Sequence, residues 1–141
     1  MTRTVLLDTS HIIALENRND AHHQRARRLD DELLAEAAVL LLHDGILMEI
    51  GDGYSRLGRR TKGIALLSRM CQEDGYQIVS ISAGVMQSAI ALYSSRSDKD
   101  WGLTECVSLV LMEQLGVSEA LTAHVHIQQA GFRALLLESQ P

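Results

Sequence analysis

Short apolar runs alternate with longer amphipathic stretches along most of this chain, and the alternation predicts an order of elements. Residues 4–7 (TVLL) read as a first strand, ended by Asp8-Thr9-Ser10. Helical spacing follows over 10–16 and 20–37, the latter with Ala26, Leu29, Leu33, Leu34 and Ala37 as its apolar stripe. A second strand is predicted at 39–42, then helices over 44–57 and 61–73. Asp74-Gly75 is a stop signal, and 77–80 form a third strand. Helices over 82–93 and 103–115 flank a polar loop at 94–102, and Gly116 closes the second of them. Short strands at 120–122 and 133–137 complete the set. Strands separated by helices, with almost no hairpin signals, predict an α/β fold: a central parallel sheet of four or five strands with helices on both faces.

The length of 141 residues fits a single domain over 1–141, with no repeat, linker or low-complexity segment. Aliphatic side chains must build the core, because there are only one Trp, one Phe and three Tyr. The apolar run after Met1 stops at Asp8, and the run at 38–42 is far below the ~20 residues that span a bilayer, so no membrane association is expected. Cys71 and Cys106 show neither metal nor disulfide spacing; they read as buried thiols in a reducing, cytoplasmic setting.

A net charge of −5 argues against indiscriminate nucleic-acid binding. It does not argue against a local contact, since Arg56, Arg59, Arg60 and Lys62 crowd into one short stretch. That strip is either a clamp on backbone phosphates or a solvated helix end, and its composition fits both.

In an open parallel sheet, ligands bind beyond the carboxyl ends of the strands. Asp8, His43-Asp44 and His124 fall at such ends, while Glu49 and Glu105 fall in helices that begin on the same side. Asp8 fits a helix cap and a site equally well. Glu49 shares a helical face with Ile46, Ile50, Gly53 and Tyr54, where a carboxylate is costly unless it is paired, hydrogen-bonded or metal-bound. Glu105 is favourable at the start of its helix, and Asp98 and Asp100 precede it in a loop. Three or four carboxylates gathered at one point are what a hard divalent cation such as Mg²⁺ or Mn²⁺ requires. In phosphodiester cleavage such an ion activates water and offsets charge on the leaving oxygen.

The strand ending VLLDTS, the helix LMEIGDGYSR and the segment DKDWGLTECVSLVLMEQLGVSEALTAHVHIQQAGFRALL together resemble a bacterial PIN domain, of the VapC-like kind that forms the toxin half of toxin–antitoxin pairs. The resemblance runs from about Val5 to Leu137 and is most specific in its last part. It implies a PIN-like three-layer sandwich and a metal-dependent endoribonuclease acting on RNA. It also implies a homodimer and an antitoxin partner whose segment covers the acidic pocket. By the same resemblance Asp8, Glu49, Glu105 and His124 are the catalytic and metal-holding positions, with Thr9 and Asp98 supporting them. Glu105 stands where the pattern has Asp, and so does His124. These two departures leave an alternative: a weakened PIN-fold module that binds RNA or protein without cleaving.

Other features carry less. His124 and His126 would point to one side of an extended strand, but no Cys or further His completes a zinc site. His22-His23 reads as a solvated helix face. Trp101 lies beside the site and is expected to pack beneath the following helix rather than to stack on a base. A phosphoacceptor domain of the receiver kind also ends a strand in Asp, but it needs a second acid there, and Asp8-Thr9-Ser10 has none.

Overall fold

The structure, a computed structural model, describes residues 2–138. Five strands form one parallel sheet: β1 (Thr4–Leu7), β2 (Val39–His43), β3 (Tyr76–Val79), β4 (Glu119–Leu121) and β5 (Arg133–Ala134). Their spatial order is β3-β2-β1-β4-β5. β1 is central, pairing Leu6 with Leu41 on one side and with Ala120 on the other. The chain therefore builds outward first in one direction and then in the other. The switch of direction lies between β1 and β4, where a crevice opens at their carboxyl ends.

Among the described residues seven helices cover the sheet: α1 (Thr9–Glu16), α2 (His23–Ala35), α3 (Asp44–Gly53), α4 (Arg60–Gln72), α5 (Ala83–Ser95), α6 (Leu103–Leu115) and α7 (Val125–Gln129). Strand side chains alternate between two separate cores. Val5, Leu7, Leu42 and Leu121 pack with Ile12, Leu29, Leu33, Ile46, Ile50 and Met70 from α1 to α4. Leu6, Leu41 and Ala120 point to the opposite face, against Ala89, Cys106, Leu109 and Met112 from α5 and α6. Both faces are dry, which is why the central strands are apolar at successive positions rather than at every second one. Among the described residues no helix is long and apolar enough to cross a membrane.

Several boundaries differ from the sequence reading, each for a local reason. α2 starts at His23 rather than residue 20, because the Asp20 carboxylate accepts the His22 N–H (2.8 Å) and holds a turn instead. It ends at Ala35, with Ala37 at φ 53° and the Ala38 N–H returning to the Leu33 carbonyl (2.9 Å). That is a left-handed helix closure made with alanine in place of glycine. Leu34 and Ala37 therefore leave the apolar stripe, and Leu34 is exposed.

α3 stops at Gly53 instead of 57, and Tyr54 turns into the core. α4 can close on Tyr54 only because residue 63 is glycine: a Cβ there would lie 2.6 Å from the Tyr54 Cβ. β5 pairs over only two residues before Leu135–Leu137 tighten into a 3-10 turn. Two expectations about burial are corrected as well. Cys71 is exposed on α4, while Cys106 is the buried thiol, its pKa raised by desolvation. His23 is not solvated: it is buried, with Nδ1 2.7 Å from the Ala14 carbonyl.

Candidate active site

Asp8 is the first residue after β1 and stands at the cap position of α1, yet its side chain caps nothing. Its Oδ2 instead accepts the Thr122 hydroxyl (2.8 Å) and the Ser10 hydroxyl (3.0 Å), with His124 Nε2 at 3.6 Å. Ser10 Oγ also accepts the Ala123 N–H at 3.0 Å. The end of β1 is thus laced to the end of β4 across the switch point, and the Asp8 side chain serves that junction rather than a helix cap. Thr122 and Ser10 are the residues that the sequence reading missed here. Both lie in the quoted motifs, but as hydroxyls beside a more conspicuous acid.

Glu49 comes from α3. It is exposed at the margin of the apolar stripe, which corrects the expectation of a core-facing carboxylate. The tilt of α3 buries Ile46 and Ile50 and leaves Glu49 on the rim, where its Oε2 accepts the Thr9 hydroxyl (3.1 Å). Glu105 lies in the first turn of α6, half-buried, with Oε2 2.6 Å from His126 Nδ1. The H-x-H expected on a strand instead bends into α7 directly after His124. This brings the two imidazoles near-parallel, 6.3 Å apart, each beside one carboxylate.

Asp8, Glu49, Glu105, Ser108 and His124 line one pocket of about 210 Å³. Each carboxylate commits one oxygen to a neighbour, and among the described residues Asp8 Oδ1, Glu49 Oε1 and Glu105 Oε1 accept no hydrogen bond. No three His, Cys, Asp or Glu side chains among the described residues stand close enough to grip an ion together. Three uncommitted carboxylate oxygens are nonetheless the donor type that suits Mg²⁺ or Mn²⁺. Mg²⁺ in particular keeps several waters and commonly takes only one or two carboxylates from a protein.

Behind the pocket, His43 ends β2 and is wholly buried. Its Nδ1 accepts the Gly45 N–H (3.0 Å) and its Nε2 is 2.9 Å from Ser108 Oγ. Asp44, the other polar residue at this strand end, ties α3 to the chain after β3 by accepting the Ile81 N–H (3.2 Å). Burial pushes the His43 ring from its ordinary 6.5 down to about 4, against the opposing pull of the Asp8 and Asp44 carboxylates. A neutral buried His makes the unfolded chain the stronger proton binder below pH 6.5. Stability contributed by this ring is therefore complete above about 6.5 and is lost as pH falls toward 4. We expect urea unfolding at pH 4.5 to show a loss of roughly 2–3 kcal/mol that His43→Asn does not share. Parallel pH dependence in the two proteins would contradict this.

The remaining predicted residues lie further out. Asp98 is exposed in the loop before α6 and pairs with Arg96 (3.0 Å), making no contact with the acidic pocket. That pairing lowers its pKa. Trp101 is buried, donates from Nε1 to Gln129 Oε1 (3.0 Å) and carries the Arg96 guanidinium over its ring at 5.0 Å, as packing rather than stacking would have it. The basic strip occupies the turn between α3 and α4 and the first turn of α4, a helix N-terminus rather than the C-terminus at which cations are favoured. Arg59 lies over the Tyr54 ring (4.7 Å), Arg60 donates to the Ser55 carbonyl (2.9 Å), Lys62 pairs with Glu16, and Arg56 is exposed. Arg59 and Tyr54 line a cavity of about 530 Å³ that shares Glu49 with the acidic pocket and holds Thr9, the hydrogen-bond donor to Glu49, in its wall.

The fold is thus an α/β parallel sheet with a carboxylate pocket at its switch point, the place where open sheets of this class generally bind ligands. The chain belongs to the PIN domain family, whose pattern matches residues 5–130. In overall structure it is similar to VapC20 of Mycobacterium tuberculosis, a toxin that cleaves the sarcin–ricin loop. The TM-score is 0.79 at 20% sequence identity, over 92% of this chain and 97% of that one. No curated protein sequence matches.

Proposed function

We propose that this protein is a metal-dependent endoribonuclease that hydrolyses RNA phosphodiester bonds and acts in the cytoplasm as the toxin of a toxin–antitoxin pair. The observation that carries the reading is the convergence of Asp8, Glu49 and Glu105 on one pocket from three different elements, each with one oxygen left uncommitted. Asp8, Glu49 and Glu105 would hold the Mg²⁺ or Mn²⁺ ion, one or two of them directly and the rest through its retained waters, with His124 beside Asp8 as a nitrogen donor. When bound, the ion supplies an activated water and neutralises charge on the phosphate.

The chain's own groups have separate work. Ser10 and Thr122 fix one face of Asp8, Thr9 holds Glu49, and His126 orients Glu105. The cavity beside Glu49 leads to Arg59, so an RNA backbone seated at the acids runs toward Arg56, Arg59, Arg60 and Lys62. VapC20 is a toxin that cleaves the sarcin–ricin loop, and a cleaving toxin of the same fold supports this reading. An antitoxin segment covering the pocket and a homodimer belong to the same reading. A second reading, a weakened module that binds without cleaving, is favoured by two observations: Glu105 is held by an imidazole at 2.6 Å, and His124 stands where the family pattern has a carboxylate.

The separating experiment is incubation of the purified chain with structured and single-stranded RNA in Mg²⁺, in Mn²⁺ and in EDTA. Internal cuts that appear with either ion and vanish with EDTA are expected. Binding without cuts in both metals would establish the second reading.

A further inference from the structure

Ser108 belongs to no motif acid, yet it lines the same pocket as Asp8, Glu105 and His124, one turn along α6 from Glu105. It is 3% exposed, and its hydroxyl has one partner, His43 Nε2. The direction of that bond follows from the other side of the ring. His43 Nδ1 accepts the Gly45 N–H, so in the neutral imidazole the proton must sit on Nε2. Nε2–H therefore donates to Ser108 Oγ, and Ser108 keeps its own proton with no acceptor among the described residues.

The ring is also placed by packing. A Cβ on residue 45 would lie 2.8 Å from His43 Cε1 and 3.0 Å from Nδ1, so only glycine lets the imidazole sit against the α3 backbone. With burial keeping the ring neutral, one backbone N–H, one imidazole and one hydroxyl form a chain polarised in a single direction, ending in the pocket.

On the ribonuclease reading above, we infer that Ser108 is a substrate-contacting residue whose hydroxyl donates to a non-bridging oxygen of the scissile phosphodiester, and that His43 is the positioning residue that aims it. The geometry has a chemical purpose. A pocket lined by three carboxylates repels a phosphate, and a neutral hydroxyl with its hydrogen free to donate gives the phosphate an attractive contact. Because the imidazole N–H donates to Ser108 Oγ, the serine cannot spend its own hydrogen on His43, and that hydrogen stays available to the pocket.

The test uses the full chain and two separate readouts. In steady-state RNA cleavage, Ser108→Ala should lower kcat on the order of 10²-fold with little change in KM, as loss of one preorganised donor does. His43→Asn, which keeps an acceptor for the Gly45 N–H but cannot reach Ser108, should show a comparable loss. His43→Gln, which restores a donor at the Nε2 position, should recover most of it. The double variant with Ser108→Ala and His43→Asn should be no worse than either alone, because both remove the same contact. The second readout is the His43 Nε2–H signal in ¹⁵N NMR, followed in Ca²⁺ as single-stranded RNA is added. It should shift in the parent and not in Ser108→Ala.

Parental kcat in Ser108→Ala, or losses that multiply in the double variant, would overturn the inference while leaving the ribonuclease reading intact. A parent that cleaves no RNA in any metal would sink that reading, and the NMR titration then decides this one alone. No shift on adding RNA, or an equal shift without the Ser108 hydroxyl, overturns it.

Discussion

Glu49→Gln is expected to remove RNA cleavage while leaving the fold as stable as before or slightly more so. Glutamine keeps the length of the side chain and an oxygen that can accept the Thr9 hydroxyl, so the local hydrogen bond survives. What disappears is the charge. Loss of a group that merely orients a metal ligand costs about 10–100-fold in affinity or activity, and loss of a carboxylate that itself faces the ion should exceed that range. In the metal-free protein the same change has the opposite sign. Asp8, Glu49 and Glu105 share a pocket, and removing one of three like charges relieves their repulsion. The pairing of outcomes matters more than either one. Cleavage of RNA and the thermal midpoint, each measured in EDTA and in Mg²⁺, give four values. The variant should match or exceed the parent midpoint in EDTA and gain less from Mg²⁺. Parental cleavage by Glu49→Gln would remove Glu49 from the site.

The same residue shows how far sequence reasoning reaches. Periodicity placed Glu49 on the right helix and on the right side of the sheet, because the apolar spacing of Ile46 and Ile50 fixes which way α3 faces. It could not say whether a residue at the edge of the stripe is buried, since that depends on the tilt of the helix and on the neighbour it meets. The switch point was equally out of reach. Strands could be counted from apolar runs, but the order β3-β2-β1-β4-β5 depends on which crossovers go left and which go right. Only that order puts Asp8 next to Thr122 and His124.

The polar supports were harder still. Ser108 is an ordinary serine inside an apolar helix, and His43 an ordinary end to a strand. Their hydrogen bond joins residues 65 positions apart and leaves no local pattern. The two departures from the family pattern were legible as letters, whereas their consequence was not. Each imidazole stands beside a carboxylate, and this happens because α7 starts at residue 125 instead of the strand continuing.

His124→Asp should therefore change the metal preference of cleavage. In the natural chain His124 is about half exposed, with Nε2 3.6 Å from Asp8 Oδ2. Imidazole nitrogen suits Mn²⁺ and the later transition metals better than Mg²⁺, which takes oxygen almost exclusively. The parent should accordingly cleave faster in Mn²⁺ than in Mg²⁺. An aspartate at this position adds a carboxylate on the Asp8 side of the pocket, so Mg²⁺-supported cleavage should rise by about tenfold, equivalent to ~1.4 kcal/mol of extra stabilisation. Without metal the variant should be the less stable protein, because two carboxylates then share the space that Asp8 shares with an imidazole. Mg²⁺ should raise its thermal midpoint by more than it raises the parent's. The Mn²⁺-to-Mg²⁺ rate ratio is the deciding quantity, since it cancels changes in RNA affinity common to both metals. A ratio unchanged by His124→Asp, together with unchanged metal-dependent midpoints, would place residue 124 outside the reach of the ion and leave Asp8, Glu49 and Glu105 as its only protein contacts.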